Sequence, residues 1–179
     1  MRPPLPAILI LVATAASAFA QQRALPRFDD HRVVVYRGKV HRPKWIRRTA
    51  GGEWRDKLGK LVDPPRVNFA GRYYVAKHSC GTGCAYYTMT DLSTGRESNL
   101  LGQFSYTEPL PKTRDGREYT TTIDFTANSR LIIVQYNLDP ASNPPPQADD
   151  QPKCRVRAFV LAKGRLKPIT NVRTGCIYR

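Results

Sequence analysis

Acidic side chains are scarce in this 179-residue chain: 14 Asp and Glu stand against 29 Lys and Arg, a formal charge of +15. Histidine occurs only at His31, His41 and His78. There is no Gly-x-Ser-x-Gly elbow to expose a serine nucleophile, no Gly-rich phosphate loop, no dinucleotide fingerprint and no paired-histidine zinc motif. After Ala20 no apolar run approaches the roughly 20 residues that a spanning helix needs. The length excludes a TIM barrel and a large two-lobed enzyme. A hydrophobic share of 41% excludes wholesale disorder and allows a packed core.

The chain opens with one positive charge, Arg2, then runs apolar from Ala7 to Ala20 and closes on Ala18-Phe19-Ala20. A short apolar stretch ending in a small-residue site is the pattern of a secretory signal peptide, here expected over residues 1–20 with cleavage after Ala20. The expected location is therefore periplasmic or secreted. Four cysteines in an exported chain imply two disulfides. Cys80–Cys84 is the first expected pair, because Cys-Gly-Thr-Gly-Cys has the glycines a tight reversal needs. Cys154–Cys176 is the second, tying a strand start to the C-terminal tail. The weaker readings are a zinc site using His78 with these thiols and a redox centre. Neither has the usual spacing: three residues separate Cys80 from Cys84, and no helical pattern follows to lower a thiol pKa. No metal or other cofactor is expected.

Residues 21–30 are polar and proline-interrupted and read as a flexible arm, ahead of a single domain over 31–179. Val33-Val34-Val35-Tyr36 reads as a strand. Trp54, Leu58 and Leu61 recur at i, i+4 and i+7 within 51–63, which predicts a three-turn helix stopped by Pro64-Pro65. Glu53/Lys57 and Asp56/Lys60 would be favourable pairs on its wet side. Segments 71–77 and 85–91 flank the Cys-Gly-Thr-Gly-Cys turn as a hairpin. Asp91–Arg96 and Asp115-Gly116 are turn chemistry. Residues 119–125 alternate as a strand wet on one side, and 131–134 are apolar on both faces, the pattern of a central strand. Residues 154–162 alternate again, and Lys163-Gly164 should turn them into a short strand near 166–169. Prolines in 140–152 make that segment an exposed loop. The expected fold is mainly β (β-rich α+β), an antiparallel meander or small sandwich with one short helix packed on it.

Asn68-Phe-Ala-Gly-Arg-Tyr73, followed by Cys80-Gly-Thr-Gly-Cys84 and Asp91-x-x-Thr-Gly95, resembles small exported bacterial proteins of uncharacterised function. The resemblance spans about residues 54–96 and the later Ser129-Arg-Leu-Ile-Ile run. Arg72 stands where histidine is common in that family, and His78-Ser79 where Trp-Gly commonly precedes the first cysteine. The resemblance implies an exported β-rich domain and no particular activity. By their residue types alone, Phe69 and Tyr73 are expected to fill core, Gly71 to permit close backbone packing, and Asn68 to satisfy a turn.

Charge carries the functional reading. Loss of Arg2 with the export segment leaves 28 basic against 14 acidic residues. Half of that excess falls in residues 37–60, where Arg37, Lys39, Arg42, Lys44, Arg47, Arg48, Arg55, Lys57 and Lys60 face only Glu53 and Asp56. Such a patch attracts polyanions through counterion release, and Trp45 in its midst would add a stacking face. The expected site is Lys39, Arg42, Lys44, Trp45, Arg47 and Arg48, acting in an exported, non-enzymatic binding or envelope-associated protein. Its partner would be an anionic glycan, a lipid headgroup or another polyanion. The alternative is a small exported hydrolase assembled around His78 and a carboxylate. A structure that gathers His78, Asn68 and a carboxylate in one concave site would favour it.

Overall fold

The computed structural model describes residues 24–139 and 152–177. Residues 1–20, expected to be a signal peptide, and the proline-rich loop except Pro152, lie outside these residues. Among the described residues ten strands follow in order: β1 Ile46–Arg48, β2 Trp54–Asp56, β3 Tyr73–Gly81, β4 Cys84–Asp91, β5 Arg96–Ser98, β6 Tyr119–Phe125, β7 Leu131–Leu138, β8 Cys154–Ala162, β9 Arg165–Pro168 and β10 Arg173–Thr174. Single 3-10 turns occupy Phe28–His31 and Leu100–Phe104. The fold is mainly β, as its alternating segments dictate.

Every ladder is antiparallel. β3, β4 and β5 form one meander, and β6, β7, β8 and β9 a second, with β10 beside β9 on the edge of β8 opposite β7. Period-2 alternation decides what each face meets. Val75, Tyr87 and Met89 of the first sheet pack against Ile132, Val134, Phe159 and Leu161 of the second, with Leu101 and Phe104 filling in between. The Tyr87 hydroxyl crosses this core to the Thr121 carbonyl at 3.1 Å. The opposite face of the first sheet, Tyr74 and Ala76, is covered by Trp45, Ile46 and Trp54 around the β1–β2 hairpin. The opposite face of the second, Leu131, Ile133, Val156, Ala158 and Val160, is covered by Leu25, Phe28 and Ile177. β7 is buried on both faces and lies between β6 and β8, the central position its apolar run dictates.

Three expectations need correction. The helix over 51–63 is absent; in its place β1 and β2 pair as a hairpin, with Ile46 opposite Asp56, Arg47 opposite Arg55 and Arg48 opposite Trp54. Gly52 and Gly59 adopt φ of +87° and +77°, which no helix tolerates. The Asp56 carboxylate accepts the amides of Leu58 and Lys60, both at 2.9 Å, so an Asx-type loop replaces the helical ladder. Leu58 and Leu61 are 52% and 63% exposed, and only Trp54 of the three points inward. The expected i,i+4 pairs do not form either: Glu53 binds Arg55, and Asp56 binds His78.

The Val33–Tyr36 run is extended but joins no sheet, and Val34 is 92% exposed. It crosses Gly71, tied by Val33 N–H to Asn128 O and Tyr36 N–H to Gly71 O. A Cβ at Gly71 would lie 2.4 Å from the Val34 carbonyl oxygen, so the glycine does permit the close approach. Residues 24–30 are docked rather than a free arm, because Leu25 and Phe28 cover an apolar sheet face that would otherwise meet water. Residues 21–23 of that arm lie outside the described range.

Both expected disulfides are present. Cys80–Cys84 staples the β3–β4 tip, and Cys154–Cys176 ties the start of β8 to the C-terminal segment. The second spans 22 residues, so replacing Cys154 and Cys176 together with serine should lower the unfolding free energy by about 3 kcal/mol. Urea unfolding checks this; an unchanged midpoint would mean that the tail is held by other contacts.

Candidate functional site

The β1–β2 hairpin and its flanks carry most of the basic segment. Ile46 and Asp56 point inward as a cross-strand pair and are buried, so Arg47 and Arg55 share the outer face. Like charges directly opposite destabilise a ladder. Here Glu53 relieves the conflict by holding Arg55, with Nη2 to Oε2 at 2.8 Å and Nε to Oε2 at 3.2 Å. Arg55 Nη1 also donates to the Gly59 carbonyl at 2.7 Å. Arg48 donates to the Gly52 carbonyl, and the Arg42 guanidinium lies 5.9 Å over the Trp54 ring.

The only two acids of the 37–60 segment are therefore both engaged within the fold, one by Arg55 and one beneath the surface. Arg37, Lys39, Arg42, Lys44, Arg47, Arg48, Lys57 and Lys60 are exposed. None of the eight is ion-paired to a described carboxylate. Of the six residues expected at the site, five cations thus lie on the surface. Trp45 does not. It is 7% exposed, stacked on Tyr74 at 5.7 Å, and its indole N–H donates to Thr90 Oγ1. Its ring is core, and burying that area outweighs leaving it in water. Trp54, half-buried beneath Arg42, is the aromatic residue nearer the surface, and sequence reading had assigned it to a helix.

Beneath the hairpin lies a relay that sequence reading anticipated only at His78. His78 Nδ1 is 2.8 Å from Asp56 Oδ2, and Nε2 is 2.8 Å from Thr88 Oγ1. Asp56 comes from β2, His78 from β3 and Thr88 from β4, so the chain of hydrogen bonds crosses from hairpin to sheet. The imidazole stacks on Tyr86 at 4.5 Å and meets the edge of Trp45 at 4.7 Å. Desolvation pushes the Asp56 carboxyl up. The His78 hydrogen bond and the Lys60 and Leu58 amides outweigh it and hold the group below the ordinary carboxyl value.

A group whose folded pKa is depressed stabilises the fold above its unfolded pKa, about 3.9 for Asp. That contribution is lost as pH falls through the lower folded value. The difference in urea midpoint between the native protein and an Asp56→Asn variant should therefore be constant above about pH 5 and shrink below about pH 4. A difference independent of pH down to 2 would contradict an ionised Asp56.

An Asp–His–hydroxyl order is also that of a nucleophilic triad. The surroundings differ from one. His78 is 1% exposed, so Nε2 has no open side from which to protonate a leaving group. A cleft of about 820 Å3 gathers Asn68, Glu53, Asp63 and Arg66 but not His78. Asn68 itself spends its amide on the β3 edge, accepting Val75 N–H and donating to Val75 C=O, both at 2.8 Å. The zinc alternative fails on the same atoms, since both cysteine sulfurs are bonded to each other and both imidazole nitrogens are engaged. Among the described residues no group of three or more His, Cys, Asp and Glu could hold a metal ion. The relay acts as a clasp that holds the basic hairpin on the sheet. Comparison with protein-family models, with curated proteins and with solved structures finds no match to this chain.

Proposed function

We propose that this protein is an exported binding module that engages anionic polymers, such as envelope glycans or the headgroups of acidic lipids, through the basic surface over residues 39–60. The observation that carries the reading is the fate of the two local acids. Glu53 is spent on Arg55 and Asp56 on the buried clasp, so the exposed cations pair with no carboxylate among the described residues. Displaced counterions from a bound polyanion would supply the driving force. The clasp fixes the hairpin before binding, which lowers the ordering cost of engagement. Export rests on the Ala7–Ala20 segment and accords with the two disulfides.

The test is retention on immobilised heparin and on vesicles containing acidic lipid, across a salt series. The expected result is binding at low salt whose logarithm falls linearly with the logarithm of salt concentration. Equal retention on neutral vesicles or underivatised matrix, or retention unmoved by salt, would refute the reading.

A further inference from the structure

The two disulfides differ chiefly in the span they close. Cys154 is buried, Cys176 is exposed, and their bond closes a span of 22 residues. Cys80 is exposed, Cys84 is half-buried, and their bond closes a span of 4. Chain-entropy stabilisation grows with the logarithm of the closed loop, so loop size alone makes the short bond about tenfold easier to open. Beside it lies a recess of about 420 Å3, lined by both cysteines with Tyr86, Tyr106, Pro109 and Pro111. The Lys77 ammonium stands 6.0 Å from the Tyr106 ring centroid and sets a positive charge near the rim of that recess. An accessible sulfur, an apolar seat beside it and a cation at the approach are what an incoming thiolate on a peptide chain requires.

We propose that Cys80–Cys84 is a thiol–disulfide exchange site that accepts two electrons from a dithiol on an extended segment with apolar flanking side chains. The absence of a following helix, which disfavours a resting low-pKa thiol, is no obstacle, because here the pair is the electrophile. A partner thiolate bonds to Sγ of Cys80, the more exposed residue of the pair. The Cys80–Cys84 bond breaks, and its electron pair leaves on Cys84 Sγ, which takes a proton from water. The partner's second thiol then loses its proton and attacks the partner sulfur of the mixed disulfide, releasing Cys80 as a thiolate that is protonated in turn. The partner dithiol becomes a disulfide and Cys80 and Cys84 become two thiols, so two electrons and two protons have moved.

The test equilibrates the intact protein in reduced and oxidised dithiothreitol buffers, quenches with acid, alkylates and reads each cysteine by peptide mass spectrometry. Cys80 and Cys84 should become alkylated at a reduced-to-oxidised ratio at least about tenfold lower than Cys154 and Cys176 need, with the far-ultraviolet circular dichroism unchanged. In a second arm, two synthetic dithiol peptides are compared, one with leucine beside each cysteine and one with glycine. The leucine peptide should open Cys80–Cys84 severalfold faster, and Tyr106→Ser should erase that preference. Tyr106 contacts Ala85 through backbone hydrogen bonds, which the variant keeps. The proposal is overturned if both bonds open together, if Cys80–Cys84 opens only as the fold is lost, or if the two peptides react at equal rates. None of these outcomes touches polyanion binding, so the two readings stand or fall separately.

Discussion

Asp56→Ala is expected to lower the unfolding free energy by about 3–5 kcal/mol, the range for removing one partner of a buried ion-paired or hydrogen-bonded set. The variant strands the His78 ring nitrogen inside an aromatic cage and leaves the Leu58 and Lys60 amides without their acceptor. For a domain of this size that loss corresponds to a fall in Tm of roughly 10 °C or more. The defect should be local before it is global. Amides of 46–56 should exchange faster at once, while those of β7 and β8 stay protected up to the unfolding transition. Asp56→Asn keeps Oδ1 as acceptor for the Leu58 and Lys60 amides but sets an NH2 donor opposite His78 Nδ1, which must then present its lone pair; it should cost less, about 1–2 kcal/mol. If alanine were tolerated with a change below about 1 kcal/mol, the relay would be an incidental contact and the hairpin would be held by Trp45, Ile46 and Trp54 alone.

Reversing four surface charges should leave stability nearly untouched and abolish binding. Arg42, Lys44, Arg47 and Arg48 are all exposed, and the fold uses them only for the Arg48 bond to Gly52 and the Arg42 contact with Trp54. Changing all four to Glu should therefore shift the unfolding free energy by no more than about 1 kcal/mol. Each lost contact with an anionic group removes somewhat less than one unit of the salt slope, so the slope should fall by about 3 to 4. Affinity for heparin at moderate salt should drop at least about a hundredfold, since like-charge repulsion replaces attraction.

Which parts of the molecule could be read from residues alone follows from the range of the interactions that set them. Turns at Asp91–Arg96, Asp115-Gly116 and Lys163-Gly164 are local: Asp91 Oδ1 accepts the Ser93 amide, and Gly95, Gly116 and Gly164 take φ of +74°, +83° and +70°. β7 was legible because burial on both faces writes an uninterrupted apolar run. The cysteine pairs followed from spacing and turn chemistry. The basic hairpin was misread as a helix because Trp54, Leu58 and Leu61 fall at helical intervals by coincidence. The residue that decides otherwise is Asp56, which binds its own loop amides and His78, 22 positions away. Gly51-Gly52 and Gly59 are local loop signals that compete with the helical periodicity. Trp45 was misplaced for a related reason. Its neighbours in sequence are cationic, while the Tyr74 and His78 rings it packs on lie some thirty residues away in the chain. Val33–Tyr36 has strand composition but meets no open edge, only the backbone at Gly71 and Asn128.

Whether the 39–60 surface acts as a site, or total charge alone draws polyanions to the molecule, separates in one comparison. Arg130, Lys163, Arg165 and Lys167 are four exposed cations away from the hairpin, at the start of β7 and around the β8–β9 turn. Changing them to Glu alters net charge by the same amount as changing Arg42, Lys44, Arg47 and Arg48. Heparin affinity is measured across a salt series for the native protein and for both variants. The account predicts that the hairpin variant loses at least about a hundredfold in affinity and about 3 to 4 units of slope, while the distal variant loses less than about tenfold and keeps most of its slope. Equal losses in the two variants would contradict it.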